Sequence, residues 1–204
     1  MENKNIVATI YIKNGKAVKG LKDHTPMGDI IELAKHYNDS GVDKILCLDL
    51  SDEDEEHEKN ILAIRAINRN IEIKTCGGGN IRRLEDVKKL LYAGCVEVML
   101  NGARPETADL IKEASARFGK KKILVSIHNL DFVFKTKDFL ADCIHELILK
   151  NTDTIKSLEA ITDVPYILYQ EEHDVEGIYG FLSSPNIRGI LGPFINDTNT
   201  DIMQ

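Results

Sequence analysis

Short apolar runs rich in Ile, Val and Leu alternate along this chain with amphipathic stretches, each run following the last after about 20 to 30 residues. The runs are "NIVATIYI", "KILCLDL", "IEIKTC", "VEVML", "KKILVSIH", "ELILKN", "VPYILY" and "IRGILG". Nearly unbroken apolar runs suit strands buried on both faces, and such strands pair in parallel through helical crossovers. Between them, "MGDIIELAKHYNDSG" sets Ile30, Leu33, Ala34 and Tyr37 at helical spacing and stops at Gly41, a residue fit for the left-handed position after a helix. "RRLEDVKKLLYAG" repeats the formula, with Val87, Leu90 and Leu91 on one face and Gly94 at its end. Eight such units predict an α/β fold of the TIM type, a (β/α)8 barrel. A doubly wound open sheet is the alternative, but it usually has fewer strands, and "CGGGN" is not a GxGxxG dinucleotide fingerprint.

With 204 residues, 43% of them hydrophobic, one domain spanning residues 1–204 is expected. Barrels of this class typically take about 250 residues. Too few remain after "IRGILGPF" for a complete eighth helix, so the barrel is expected to be compact, open at its carboxyl end, and the N-terminal part of a longer polypeptide. The formal charge of −7 argues against a nucleic-acid partner, which would need clustered Lys and Arg. No run approaches the roughly 18 apolar residues of a membrane span, and "MENKN" does not resemble a secretory leader; a cytoplasmic protein is expected.

The four cysteines, Cys47, Cys76, Cys95 and Cys143, form no CxxC and read as reduced core thiols rather than a zinc site. His57 stands in "SDEDEEHEK", which reads as a solvated first helical turn with Ser51 as N-cap and carboxylates favoured by the helix dipole. Ligands there would fan around a helix without converging, so neither a metal nor any other cofactor is expected.

In a barrel, chemistry collects just past the carboxyl ends of the strands. "CGGGN" follows the third run. Glycines let backbone N–H groups approach an anion, and a helix N-terminus adds positive potential, although a tight turn alone would also favour Gly77, Gly78 and Gly79. Arg82 and Arg83 are expected in the first turn of the next helix, where they oppose its dipole unless an anion sits nearby. Past the fourth run, "NGARPE" places Asn101 and Gly102 to close the other side of the same phosphate, with Pro105 opening the following helix.

The stretches "IYIKNGKAVKG", "DIIELAKHYNDSGVDKILCLDL" and "TCGGGNIRRLEDVKKLLYAGCVEVMLNGA", in that order, resemble the histidine-biosynthesis barrel family. That family comprises the phosphoribosylformimino isomerase and the imidazole glycerol phosphate synthase cyclase subunit. The resemblance covers about the first 130 residues and is thin beyond them. It implies a barrel with two facing phosphate sites that grip a bisphosphate ribotide. It further implies an aspartate at the end of strand one and another at the end of strand five, acting as general acid and base.

Carried over by residue, the first phosphate site is Gly77, Gly78, Gly79, Asn101 and Gly102, and Lys19 and Asp49 also match the pattern. The aspartate pair does not carry over: Tyr11 and His128 occupy those places. Tyrosine, with a reference pKa of about 10, is a poor base near neutrality, whereas histidine can shuttle protons. The second phosphate turn is replaced by Gln170, Glu171 and Glu172, the loop after the sixth run is shortened, and the eighth run ends in Pro193 and Phe194.

Three readings follow. The first is a non-catalytic family member that holds one phosphorylated sugar or ribotide, as a scaffold or sensor domain N-terminal to phosphoribosyl-AMP cyclohydrolase and phosphoribosyl-ATP pyrophosphatase domains, a fusion the resemblance implies. The second is an active isomerase or lyase-type cyclase on a phosphorylated ribose derivative, using His128 with Lys19 or Asp49. The third is an assembly domain binding nothing small, its apolar surface near "IYGFLSSPNIRGILGPF" covered by a second copy or a downstream domain.

Overall fold

The apolar runs become strands, and period-2 alternation sorts their side chains into two cores. The computed structural model describes residues 4–150, 152–169 and 184–193. Eight strands run in parallel: β1 (Asn5–Lys13), β3 (Lys44–Asp49), β4 (Lys74–Gly78), β5 (Glu97–Asn101), β6 (Ile123–Ile127), β7 (Glu146–Leu149), β8 (Tyr166–Tyr169) and β9 (Ile187–Gly192). They pair in chain order, and β9 returns to β1 in the register Asn5 to Gly189 through Ala8 to Gly192. The sheet is therefore closed, where the shortness of the chain had suggested an open carboxyl end. Closure needs only the final strand; the expected incomplete eighth helix lies outside the described residues.

A ninth strand was not anticipated. β2 (Lys16–Val18) folds back antiparallel on β1 around Asn14 and Gly15, both with positive φ (49° and 74°). Asn-Gly is the favoured dipeptide for such a hairpin because both central residues must be left-handed.

The larger core lies between sheet and helices. Helix α1 (Ile30–Asp39) buries Ala34 and Tyr37, capped by the Asp29 side chain on the amides of Ile31 and Glu32. Helices α2 (Asp54–Asn70), α3 (Leu84–Tyr92) and α4 (Thr107–Phe118) follow β3, β4 and β5, burying Ile61, Ile64 and Ile67, then Val87 and Leu90, then Leu110, Ile111 and Ala114. Gly41 and Gly94 end α1 and α3 at positive φ, as their positions in sequence predict. The crossover after β6 is broken into α5 (Asp131–Thr136) and α6 (Leu140–Cys143), and a single 3-10 turn joins β7 to α7 (Ile155–Glu159).

The smaller core fills the barrel itself: Val7, Leu46, Cys76, Leu124, Ile148, Ile167 and Leu191 meet there, with Tyr169 above. Two residues before this layer on four strands stand Asn5, Lys44, Glu97 and Glu146, which form a polar floor. There the buried Lys44 ammonium pairs with Glu97, which also accepts from His145 Nδ1 at 2.9 Å. Two residues after it stand Thr9, Leu48, Ser126 and Lys150, which line the mouth. The strands thus carry a hydrophobic plug that separates an ionic floor from the carboxyl-end cavity.

Candidate functional site

That cavity measures about 190 Å3. Its wall is the set of inward strand positions plus the loops just beyond them: Thr9 from β1, Asp49 from β3, Gly79 to Ile81 after β4, Asn101 and Arg104 around the end of β5, and Ser126 and His128 from β6. Lys150 and Tyr169 close it from β7 and β8.

Of the five residues assigned to a phosphate from sequence, Gly79 and Asn101 reach this cavity. Gly77 and Gly78 lie inside β4, paired with Cys47 and Leu48 on one side and with Val98 and Met99 on the other. A Cβ on Gly77 would come 2.6 Å from Leu90 Cδ2, and one on Gly78 2.9 Å from Met99 Cε. These two glycines make room for α3 and for the barrel interior respectively. Gly102 spends its N–H on Ser126 O (2.9 Å). Only Gly79 has the conformation expected of a turn, with φ +80°, and a Cβ there would lie 2.0 Å from Asp49 O. Asn80 follows, also left-handed at φ 43°.

Behind this turn lies a polar network, at residues whose sequence suggests a solvated surface. His57 is only 4% exposed, and Ser51 is buried rather than capping α2, whose N-cap is Glu53. The correction has a tertiary cause: α2 packs its first turn against the end of β3, so one face of the acidic stretch turns inward. The Asp49 carboxylate accepts from Ser51 N (2.8 Å), from His57 Nδ1 (2.5 Å) and from Asn60 Nδ2. The Asp49 hydrogen bond holds the His57 pKa above its usual value against the opposing effect of burial, and the nearby carboxylates of Asp49 and Asp86 add to it.

Arg82 and Arg83 precede α3 rather than occupying its first turn. Their amides donate to Asp86 Oδ2 at 2.9 and 3.1 Å, so a carboxylate of the chain itself caps this helix. Arg82 Nε reaches Asn80 Oδ1 (3.0 Å), and Asn80 Nδ2 donates to Ser51 Oγ (2.8 Å). The cation that reaches the cavity at this turn is Arg104, whose Nη1 donates to Ile81 O at 3.4 Å. It stands within "NGARPE", three residues past Asn101, on the turn before α4; that helix starts at Thr107, two residues later than Pro105 suggested.

The residues proposed for proton transfer are scattered. Lys19 is exposed on the loop after β2 and does not line the cavity. Asp49 lines it, but its carboxylate is turned into the network just described. His128 lines the cavity with its pKa lowered, chiefly by desolvation and then by the Lys150 charge, which favours the neutral imidazole. Tyr11 is buried, its hydroxyl 2.9 Å from that of Tyr169, and Lys150 Nζ lies 4.8 Å from the centre of the Tyr169 ring. Among the described residues, the Thr9 hydroxyl is buried at the cavity without a hydrogen-bond partner. Gln170, Glu171, Glu172 and Phe194 lie outside the described residues. So does the first part, residues 178–183, of the apolar segment "IYGFLSSPNIRGILGPF", whose remainder up to Pro193 contains β9. Pro193 follows β9 directly.

The arrangement offers a left-handed turn, an amide side chain and a guanidinium at one wall, with hydroxyls, an imidazole and an ammonium opposite. It suits a polar ligand with an anionic end. Arg104, Thr9, Lys150 and Tyr169 were not singled out from sequence; once β1, β7 and β8 are in register, the inward alternation that built the plug selects the last three.

Cys47, Cys76 and Cys95 are buried free thiols, and no His/Cys/Asp/Glu cluster able to hold a metal occurs among the described residues. No helix among them is long and apolar enough to cross a membrane.

The model of the family described as "Histidine biosynthesis protein" matches residues 5–165, ending just before β8. The imidazole glycerol phosphate synthase subunit HisF of Exiguobacterium sp. is 36% identical over 141 residues, which is 68% of this chain and 54% of that protein. Its counterpart from Wolinella succinogenes is 37% identical over 129 residues (61% and 50%), and that of Campylobacter lari 33% over 129 (62% and 51%). The chain spans about half the length of the curated relatives it matches. With most of its length covered by the family model and its strands closed into the barrel described above, the chain belongs to the histidine biosynthesis protein family.

Proposed function

We propose that this barrel holds a phosphorylated sugar or ribotide at its carboxyl-end mouth without the acid–base pair that isomerisation or cyclisation would require, and serves as a ligand-binding or scaffold domain. The observation that carries the reading is the meeting of Arg104, through Ile81 O, with the left-handed turn at Gly79 and Asn80, beside Asn101, at one wall of the mouth cavity. A guanidinium and main-chain amides are the groups that bind a phosphate monoester well. The relatives' name, imidazole glycerol phosphate synthase, refers to a phosphate ester, which supports the ligand class. Loss of catalysis is supported by the remaining side chains: a tyrosine pair where a carboxylate base would be needed, and an Asp49 carboxylate already engaged by three donors.

One observation favours a second reading, in which the site still turns over a smaller phosphorylated ribose: His128 lines the cavity, and desolvation with the Lys150 charge favours the unprotonated ring that a general base needs. Calorimetric titration with ribose 5-phosphate, combined with turnover assays on that sugar phosphate and on the bisphosphate ribotide, separates the two. Binding that Arg104→Met weakens about tenfold or more, the usual scale for a charge-assisted contact, with no turnover, is the expected result. Turnover abolished by His128→Ala would install the second reading, and no binding by the wild type would leave an assembly role.

The same proposal extends to context. Buried thiols suit a cytoplasmic protein, and a longer polypeptide carrying cyclohydrolase and pyrophosphatase domains, or a second copy of this chain, would be the partner; the full coding sequence and the mass of the protein in solution test both.

A further inference from the structure

We infer that His57 is a positioning residue for the anion end of the ligand: by bridging the Asp49 and Asp86 carboxylates it fixes the turn from Gly79 to Arg83 and sets the affinity of the mouth for an anion. The inference rests on the phosphate reading above and assigns a residue to its control.

The geometry is specific. His57 Nδ1 bonds Asp49 Oδ2 at 2.5 Å, while Nε2 is buried, makes no hydrogen bond among the described residues, and faces Asp86 Oδ1 at 3.9 Å. In a neutral ring whose proton lies on Nδ1, the Nε2 lone pair would point towards a carboxylate in a poorly solvated space. A second proton converts that repulsion into attraction. The groups facing the ring are Asp49 from β3, Asp86 from α3, and Lys89 from α3, whose charge opposes the other two.

Each carboxylate then holds one end of the turn. Asp49 binds Ser51 N, and Ser51 Oγ accepts from Asn80; Asp86 accepts from the amides of Arg82 and Arg83. Gly79 is pressed against Asp49 O, so displacement of Asp49 moves the turn. Without the imidazolium, two buried negative charges would stand behind the place where an anion must enter.

Sulfate is the probe, because its own charge is constant across the histidine range of about pH 5 to 8. In the wild type, sulfate affinity should fall about tenfold as pH rises through the His57 pKa, and saturating sulfate should raise that pKa, followed by histidine NMR, by about one unit, since linkage is reciprocal. His57→Gln should bind with the weaker, high-pH affinity throughout the range above the His128 step, which this variant leaves intact. Asp86→Asn keeps an acceptor for the two amides and should lower the His57 pKa. Sulfate binding with the same profile in wild type and His57→Gln overturns this inference alone. If that variant does not fold, an unmoved His57 pKa in sulfate-saturated wild type overturns it equally. No sulfate binding by the wild type overturns the phosphate reading with it.

Discussion

Replacing Gly79 by alanine puts the turn and the strand end in direct conflict. Its φ of +80° costs a residue with a Cβ about 1 to 2 kcal/mol. The added Cβ would also stand 2.0 Å from Asp49 O, where ordinary contact begins near 3.4 Å. The two backbones must therefore part by about 1.4 Å, which strains the hydrogen bonds of Ser51 N with Asp49 and of Asn80 with Ser51. At about 1 kcal/mol for each bond, the total comes to about 3 to 4 kcal/mol. For a domain of this size that lowers the melting temperature by about 6 to 16 °C. Gly41→Ala is the matched control: its φ is +83° and nothing lies within 4 Å of the new Cβ, so only the conformational cost applies. Thermal melts by circular dichroism should show Gly79→Ala losing at least twice as much as Gly41→Ala, together with loss of ribose 5-phosphate binding. Equal losses would refute the close approach on which the site geometry depends.

Gly77→Ala should overpack the face against Leu90 and Cys95, at about 1 to 3 kcal/mol. Leu90→Ala alone should cost about 2 to 5 kcal/mol. Because the new methyl occupies part of the vacated space, urea denaturation of the double variant should give less than the sum of the two. Tyr11→Phe, which removes one of the paired hydroxyls, should cost about 0.5 to 1.5 kcal/mol in the same assay, and a neutral result would mean that the pair contributes nothing. On the floor, burial alone would raise the Glu97 pKa, but the His145 hydrogen bond and the Lys44 charge outweigh it and hold the pKa below 4.5. A depressed carboxylate stabilises the fold above its unfolded pKa and loses that contribution as pH falls through the folded value. The acid limb of a stability–pH curve should therefore be shallower in Glu97→Gln, which should also be about 3 to 5 kcal/mol less stable at pH 7 because Lys44 is left without its partner.

The barrel was legible because strands buried on both faces cannot hide: Ile45 to Leu48 or Ile123 to Ile127 leave little choice of structure. The β2 hairpin was legible too, through Asn14-Gly15, but three residues between a strand and a loop are easily passed over. What could not be seen locally was what each glycine and acid would face. Gly77 and Gly78 look like a turn until Leu90 and Met99 arrive from 13 and 21 positions away and require the missing Cβ atoms. His57 sits among six carboxylate residues and reads as solvated; only the packing of α2 on the end of β3, with the N-terminus of α3 beside it, puts its ring between Asp49 and Asp86. Arg82 and Arg83 suggested a bound anion, yet Asp86 answers the amides they carry, and the cation that reaches the cavity at this turn is Arg104.

The account turns on where an anion sits. A crystal structure of the protein saturated with ribose 5-phosphate measures this directly. The account predicts phosphate density between the Gly79 to Ile81 main chain and the Arg104 guanidinium, within reach of Asn101. A mouth empty at saturation, or phosphate bound instead among Lys44, Lys74 and Lys122 at the floor, would contradict it.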